Sequence, residues 1–122
     1  MSYHEKAAKL YKMMDEGQMM EAFEKYYHPD VEVVEATGEV RKGKDAQRQA
    51  LVQWAGSLKE MHDGGVGSIT ANEADGVTTV ESWMDCTFAD GNRMKMEEVA
   101  VQRWKGDQIV HERFYYNMPG QG

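Results

Sequence analysis

Apolar and polar positions change period along this chain, and the changes predict its elements. Ala7, Leu10 or Tyr11, and Met14 recur at helical spacing across about residues 4–15, and Gly17 is a suitable stop. A second helix is predicted at about 18–27, where Met19, Met20, Phe23, Tyr26 and Tyr27 form an aromatic stripe. Pro29 in "HPD" cannot continue the hydrogen-bond ladder and ends it. The period then falls to two. "VEVVEA" at 31–36 reads as a strand with Val31, Val33 and Glu35 on one face. "TGEVRKGK" reads as a loop. Helical spacing returns over about 44–61, with Ala50, Leu51, Trp54, Ala55, Leu58 and Met61 on one stripe, and Gly64 and Gly65 end it.

The remainder alternates as an antiparallel meander, with strands predicted near 66–74, 77–89, 92–104 and 108–116. Asp75-Gly76 and Asp90-Gly91 are two-residue hairpin signals, and "KGD" at 105–107 is a third turn. The closing "MPGQG" is expected to fray. The pattern holds no internal repeat or linker, so one domain over 1–122 is expected. Helices gathered on one side of an antiparallel sheet make an α+β layer fold. A strongly curved sheet wrapped around three N-terminal helices would leave a cone with a pocket inside.

Hairpin register decides which side chains meet. With Asp90-Gly91 as a two-residue turn, Thr87 opposes Met94, Asp85 opposes Met96, Trp83 opposes Glu98 and Glu81 opposes Ala100. Trp83, Asp85, Met96 and Glu98 then share a face, with Cys86 on the other. The turn at 105–107 leaves two registers. A three-residue loop brings Glu112, Phe114 and Tyr116 onto the Trp83 face; a two-residue loop brings His111, Arg113 and Tyr115 there. The first is preferred because it keeps Val110, Phe114 and Tyr116 together. Either way both faces are mixed, which suggests one lining a pocket and one meeting a partner subunit.

Composition narrows the function classes. The chain has 122 residues, 14 basic and 21 acidic, for a net charge of −7. Clustered Lys and Arg suited to a nucleic-acid backbone are missing, and "RKGK" at 41–44 is the densest basic group. No run approaches the ~18 apolar residues of a membrane span, and the charged start lacks a signal-peptide core. Cys86 is the single cysteine. A cytoplasmic setting follows as the expectation, with no nucleic-acid or membrane partner and no cofactor. His4, His28, His62 and His111 lack metal-ligand spacing, so no metal site is expected. Ten methionines suit irregular packing or an adaptable pocket.

Three acids are candidates for catalysis. Glu35 sits beside Val31 and Val33, where partial burial would raise its pKa toward a base's working range. Asp85 and Glu98, with Glu112, could crowd into an inward carboxylate cluster that pushes one pKa up or holds a cation. Tyr27, Trp54, Trp83, Met96, Glu112, Phe114 and Tyr116 are the candidate ligand-binding residues, since aromatic walls suit flat apolar molecules.

The passage "DEGQMMEAFEKYYHPDVEV", the "GKDA" opening of the third helix and the final "WKGDQIVHERFYYN" hairpin resemble the nuclear-transport-factor-2-like superfamily, and within it the SnoaL-like group. The resemblance spans nearly the whole chain. It implies a cone-shaped α+β barrel, a ligand cavity and a homodimer packed through the sheet. In the related ketosteroid isomerases a base carboxylate follows the first strand, and Glu35 matches that position. The oxyanion-hole tyrosine and acid of those enzymes fall here at Leu10 and Ala100. The base of SnoaL-like cyclases falls at Asn117. The resemblance therefore implies a small-molecule-binding protein with isomerase- or cyclase-type proton transfer, or else a non-catalytic dimeric module.

Overall fold

The computed structural model describes residues 1–117; the frayed end expected at 118–122 lies outside the described residues. Helix α1 (Tyr3–Asp15) starts at Ser2, whose hydroxyl accepts from the Glu5 N–H, satisfying an otherwise orphaned donor. Helix α2 (Met19–Tyr26) buries Ala22, Phe23 and Tyr26. Strand β1 (Tyr27–Val34) follows without a loop and is paired across its short hairpin with β2 (Val40–Lys42). Helix α3 (Lys44–Gly56) and four long strands complete the chain: β3 (Leu58–Asn72), β4 (Val77–Phe88), β5 (Arg93–Lys105) and β6 (Gln108–Tyr116). The sheet runs β2-β1-β6-β5-β4-β3. It is curved and unclosed, with bulges along β3 that bend it. Every neighbouring pair is antiparallel except β1 and β6. Among the described residues no helix is long and apolar enough to cross a membrane.

The α+β fold class is as expected, and several boundaries move. The segment read as a loop contains β2. Helix α3 ends at Gly56, and the 58–61 part of its expected stripe opens β3 instead. Gly64 and Gly65 are strand residues, and Gly65 has a specific reason to be glycine. A Cβ there would stand 2.9 Å from the Trp83 Nε1 on the next strand, closer than packed atoms come. Pro29 lies within β1, and Glu35 follows the end of that strand.

Two turns differ from their sequence signals, with consequences for the faces. Ala89, Asp90 and Gly91 form a three-residue loop: the Phe88 N–H donates to the Asn92 carbonyl at 2.8 Å, and Gly91 takes φ 92°. The β4–β5 register is therefore one residue from the expected one, so Trp83 opposes Glu97, Asp85 opposes Lys95 and Ser82 opposes Glu98. At the last hairpin Lys105 pairs with Gln108, leaving Gly106-Asp107 as a two-residue loop. A bulge after Trp104 then shifts the register, so Gln102 opposes Glu112, Ala100 opposes Phe114 and Glu98 opposes Tyr116. The preferred three-residue loop is therefore not formed; through the bulge Glu112, Phe114 and Tyr116 still share a face with Ala100 and Glu98, but Trp83 lies on the other one.

The helices cover one face. Its core joins Ala7, Leu10, Tyr11, Ala22 and Tyr26 to Val31, Val33, Val80, Trp104 and Ile109. Burying a large aliphatic side chain of this kind contributes roughly 1.5–3 kcal/mol. The Tyr26 ring meets the Trp104 ring edge-on, with centroids 6.0 Å apart.

Candidate functional site

The inner face changes character along its length. Near α1 and α2 it is packed core. Toward the ends of β1 and β6 it becomes acidic, because strand alternation brings Glu112 and Glu98 onto the same side as Val80 and Ala100. Glu35 joins them from the turn after β1.

Glu112 is fully buried on β6. The Tyr27 hydroxyl donates to its Oε1 at 2.5 Å and the Gln102 amide to its Oε2 at 2.9 Å. Gln102, also buried, accepts from the Thr78 hydroxyl at 2.7 Å, and the Trp104 indole N–H donates to the same hydroxyl at 2.8 Å. A second Gln102 bond reaches the Tyr11 hydroxyl at 3.3 Å. The result is a buried polar chain in which Tyr27, Gln102, Thr78 and Trp104 each donate to an acceptor, as low-dielectric surroundings demand.

Glu35 is held differently. Arg41 on β2 pairs with its Oε1, and the Tyr116 hydroxyl donates to its Oε2 at 2.9 Å. Arg41 is itself fixed by the buried Gln47, its Nε–H donating to Oε1 of that residue at 2.7 Å. The position expected for a free base thus carries an ion-paired, doubly bonded carboxylate.

Glu98 faces Tyr116 across the β5–β6 ladder and is mostly buried. Burial, then the charges of Glu112 and Glu35, push its pKa up to about 7. Glu112 is also raised to about 7 by burial, against the lowering pull of Tyr27 and Gln102. Burial beside these acids raises the Tyr11 and Tyr27 phenols well above their usual range, and burial followed by the Glu35 bond lifts Tyr116 to about 12.

Other candidates are placed elsewhere. Trp83 and Asp85 are on the outer face, by the one-residue register change. There Asp85 forms a double bond pair with Arg93, at 3.0 and 2.9 Å, that holds its carboxyl below the usual range. The acidic cluster is therefore Glu35, Glu98 and Glu112, not Asp85, Glu98 and Glu112. Met96 and Phe114 are half-buried on the inner face, and Trp54 is half-buried on α3. Cys86 is buried on the face opposite Trp83, as alternation required, and burial raises its thiol pKa. Among the described residues no three His, Cys, Asp or Glu side chains gather as for a metal ion. Sequence reasoning did not single out Gln102, Thr78, Arg41 or Gln47. The signal available for Gln102 was its alternation with Ala100 and Trp104.

An open groove of about 590 Å³ is lined by Trp83, Lys95, Val99 and Tyr115 of the outer face and also by Glu98 and Tyr116 of the inner one. Lys95 stands over the Trp83 ring, 5.0 Å from its centroid.

Comparison with known proteins agrees with this fold. Solved structures of nuclear-transport-factor-2-like proteins share the fold, including one from Burkholderia pseudomallei with a TM-score of 0.78 and 14% identity, covering 96% of this chain and 92% of that one. The SnoaL-like domain profile matches residues 1–116, and the chain belongs to that family. A candidate SnoaL-like polyketide cyclase from Mesorhizobium loti, also labelled carbohydrate phosphatase, is 32% identical. It aligns over 95% of this chain and 100% of that one with a TM-score of 0.81. A candidate isomerase from Bacillus subtilis has the same TM-score at 16% identity, over 96% of this chain and 90% of that one. Among curated proteins, none matches this sequence.

Proposed function

We propose that this SnoaL-like protein binds a small apolar or aromatic molecule against the inner face of its sheet and transfers a proton on it with Glu98. The observation that supports this reading is the contrast among the three inner acids. Glu35 and Glu112 have their carboxylate oxygens occupied by donors, whereas among the described residues Glu98 has no hydrogen-bond or ion-pair partner, and burial with the charges of Glu112 and Glu35 pushes its pKa up to about 7. A carboxyl poised near the working pH can both take and give a proton. Phe114, Met84 and Met96 supply an apolar setting on the same face. The likeness to a candidate cyclase and a candidate isomerase is consistent with proton-transfer chemistry.

The test is a ligand screen by mass spectrometry of the purified protein, followed by assay of Glu98→Gln on any substrate found. Turnover should fall by about 10² or more, with binding retained. Full activity in Glu98→Gln would remove it from the mechanism.

A second reading, a non-catalytic dimeric module, is favoured by the outer groove. Trp83, Val99 and Tyr115 there form a surface on which a second copy could pack sheet to sheet. Sedimentation at micromolar concentration distinguishes it: a dimer that Trp83→Glu dissociates supports the outer face as the contact, and a monomer removes it.

A further inference from the structure

We infer that Glu112 is a positioning residue: its carboxylate, locked by Tyr27 and Gln102, is a fixed buried charge that makes Glu98 the proton-bearing member of the inner cluster. The inference rests on the proposed role of Glu98, but its mechanism is readable without a substrate.

The geometry separates the two acids. Both Glu112 oxygens receive donors, at 2.5 and 2.9 Å, and the residue is only 1% exposed. Such bonds favour the charged form, and their own partners are secured by the Thr78 and Trp104 links behind Gln102. Glu98 sits on the neighbouring strand of the same face, four register pairs along, opposite Tyr116 and Ser82. Without comparable donors, it must answer to the charges that surround it. Two like charges in a poorly solvated space resist ionising together, and the one with fewer hydrogen bonds retains the proton.

The titratable groups coupled to Glu98 come from α1, β1 with its following turn, and β6, while β4 sets Ser82 opposite it. Tyr11 contributes from α1, Tyr27 from the start of β1, Glu35 from the turn after β1, and Glu112 and Tyr116 from β6. Arg41 on β2 supplies positive charge, but it is spent on Glu35 and Glu39. The tyrosines stay neutral through the physiological range, so Glu112 and Glu35 are the negative charges that Glu98 feels. Of these, Glu112 acts more strongly on Glu98, and Glu35 is partly compensated by Arg41. The raised titration of Glu112 itself fits a coupled pair, in which its two donors decide which site empties first.

The experiment is a pH titration of the side-chain carboxyl carbons by NMR on the full chain. In the unaltered protein the Glu98 resonance should titrate near pH 7. In Glu112→Gln, which keeps the shape and removes the charge, its midpoint should fall by about one unit or more; in Glu35→Gln it should fall by less. Should Glu112→Gln fail to fold, Tyr27→Phe serves instead. Losing that donor makes Glu112 the proton holder, so the Glu98 midpoint again falls while that of Glu112 rises. A Glu98 midpoint unmoved in whichever of these variants folds overturns the inference, as does a larger response to Glu35→Gln than to Glu112→Gln. Those results leave ligand binding and turnover by Glu98 to stand or fall on their own assays.

Discussion

Strands β4, β5 and β6 present two faces that both carry aromatic residues and acids, with very different physics. On the outer face charges are paired in water: Asp85 with Arg93, Lys95 with Glu97 at 3.7 Å and stacked over Trp83. Exposed pairs of this kind contribute roughly 0–1 kcal/mol each. On the inner face burial pushes Glu98 and Glu112 up from 4.5 to about 7. The inner face of these strands carries no lysine or arginine to pair with its acids, and the helices cover it, so burial there acts on glutamates that the outer face would hold in ion pairs.

The comparison can be broken in graded ways. The largest effect should come from the inner core: Ile109→Ala should cost about 3 kcal/mol in a urea melt, whereas Val99→Ala on the outer face should cost less than about 1 kcal/mol. Equal losses would mean that the outer face is covered too.

Next comes pH. Glu98 and Glu112 have folded pKa values above the unfolded 4.5. The folded state therefore holds more protons between about 4.5 and 7, and this pair's contribution to stability declines as pH rises through that window, then levels off. Glu24, Glu73, Asp85 and Asp107 are held below their usual range, so their contributions are lost only as pH falls further. Melts at pH 5 and pH 8 should differ in the sense of the buried pair, and Glu98→Gln should shrink that difference by on the order of 2 kcal/mol. An unchanged difference would place Glu98 in water.

Gly65→Ala should destabilise by about 1 kcal/mol, because the indole of Trp83 must move off the new Cβ; tryptophan fluorescence should report the shift. The smallest effect belongs to Asp85→Asn, within about 0.5 kcal/mol and reduced further by salt.

Much of the architecture was legible in the sequence. Helical spacing located α1 and α2, alternation located β4 to β6, and glycine-bearing turns located the hairpins. Glu35, Glu98 and Glu112 were all among the candidates. What alternation could not supply was register. Asp90-Gly91 reads as a two-residue turn, yet the chain spends three residues there, and that single residue sends Trp83 and Asp85 to the opposite side. The bulge after Trp104 similarly restores a face that its turn alone would have reversed. Bulges leave little mark in a sequence, because their stability comes from the twist and packing of the sheet around them.

The sequence by itself determined which segments could be helix or strand, because side-chain period is a local property of the backbone. It also determined that acids would share a face with aromatic residues in the sheet. Only the tertiary structure decided which acids meet. β1 runs parallel beside β6, so Tyr27 from one end of the chain donates to Glu112 from the other. The same pairing lets Tyr116 reach Glu35. Those contacts join residues more than eighty positions apart, a separation across which no local pattern carries information. They are fixed by the helices closing over one face, which removes water from that side and makes each hydrogen-bond partner there matter.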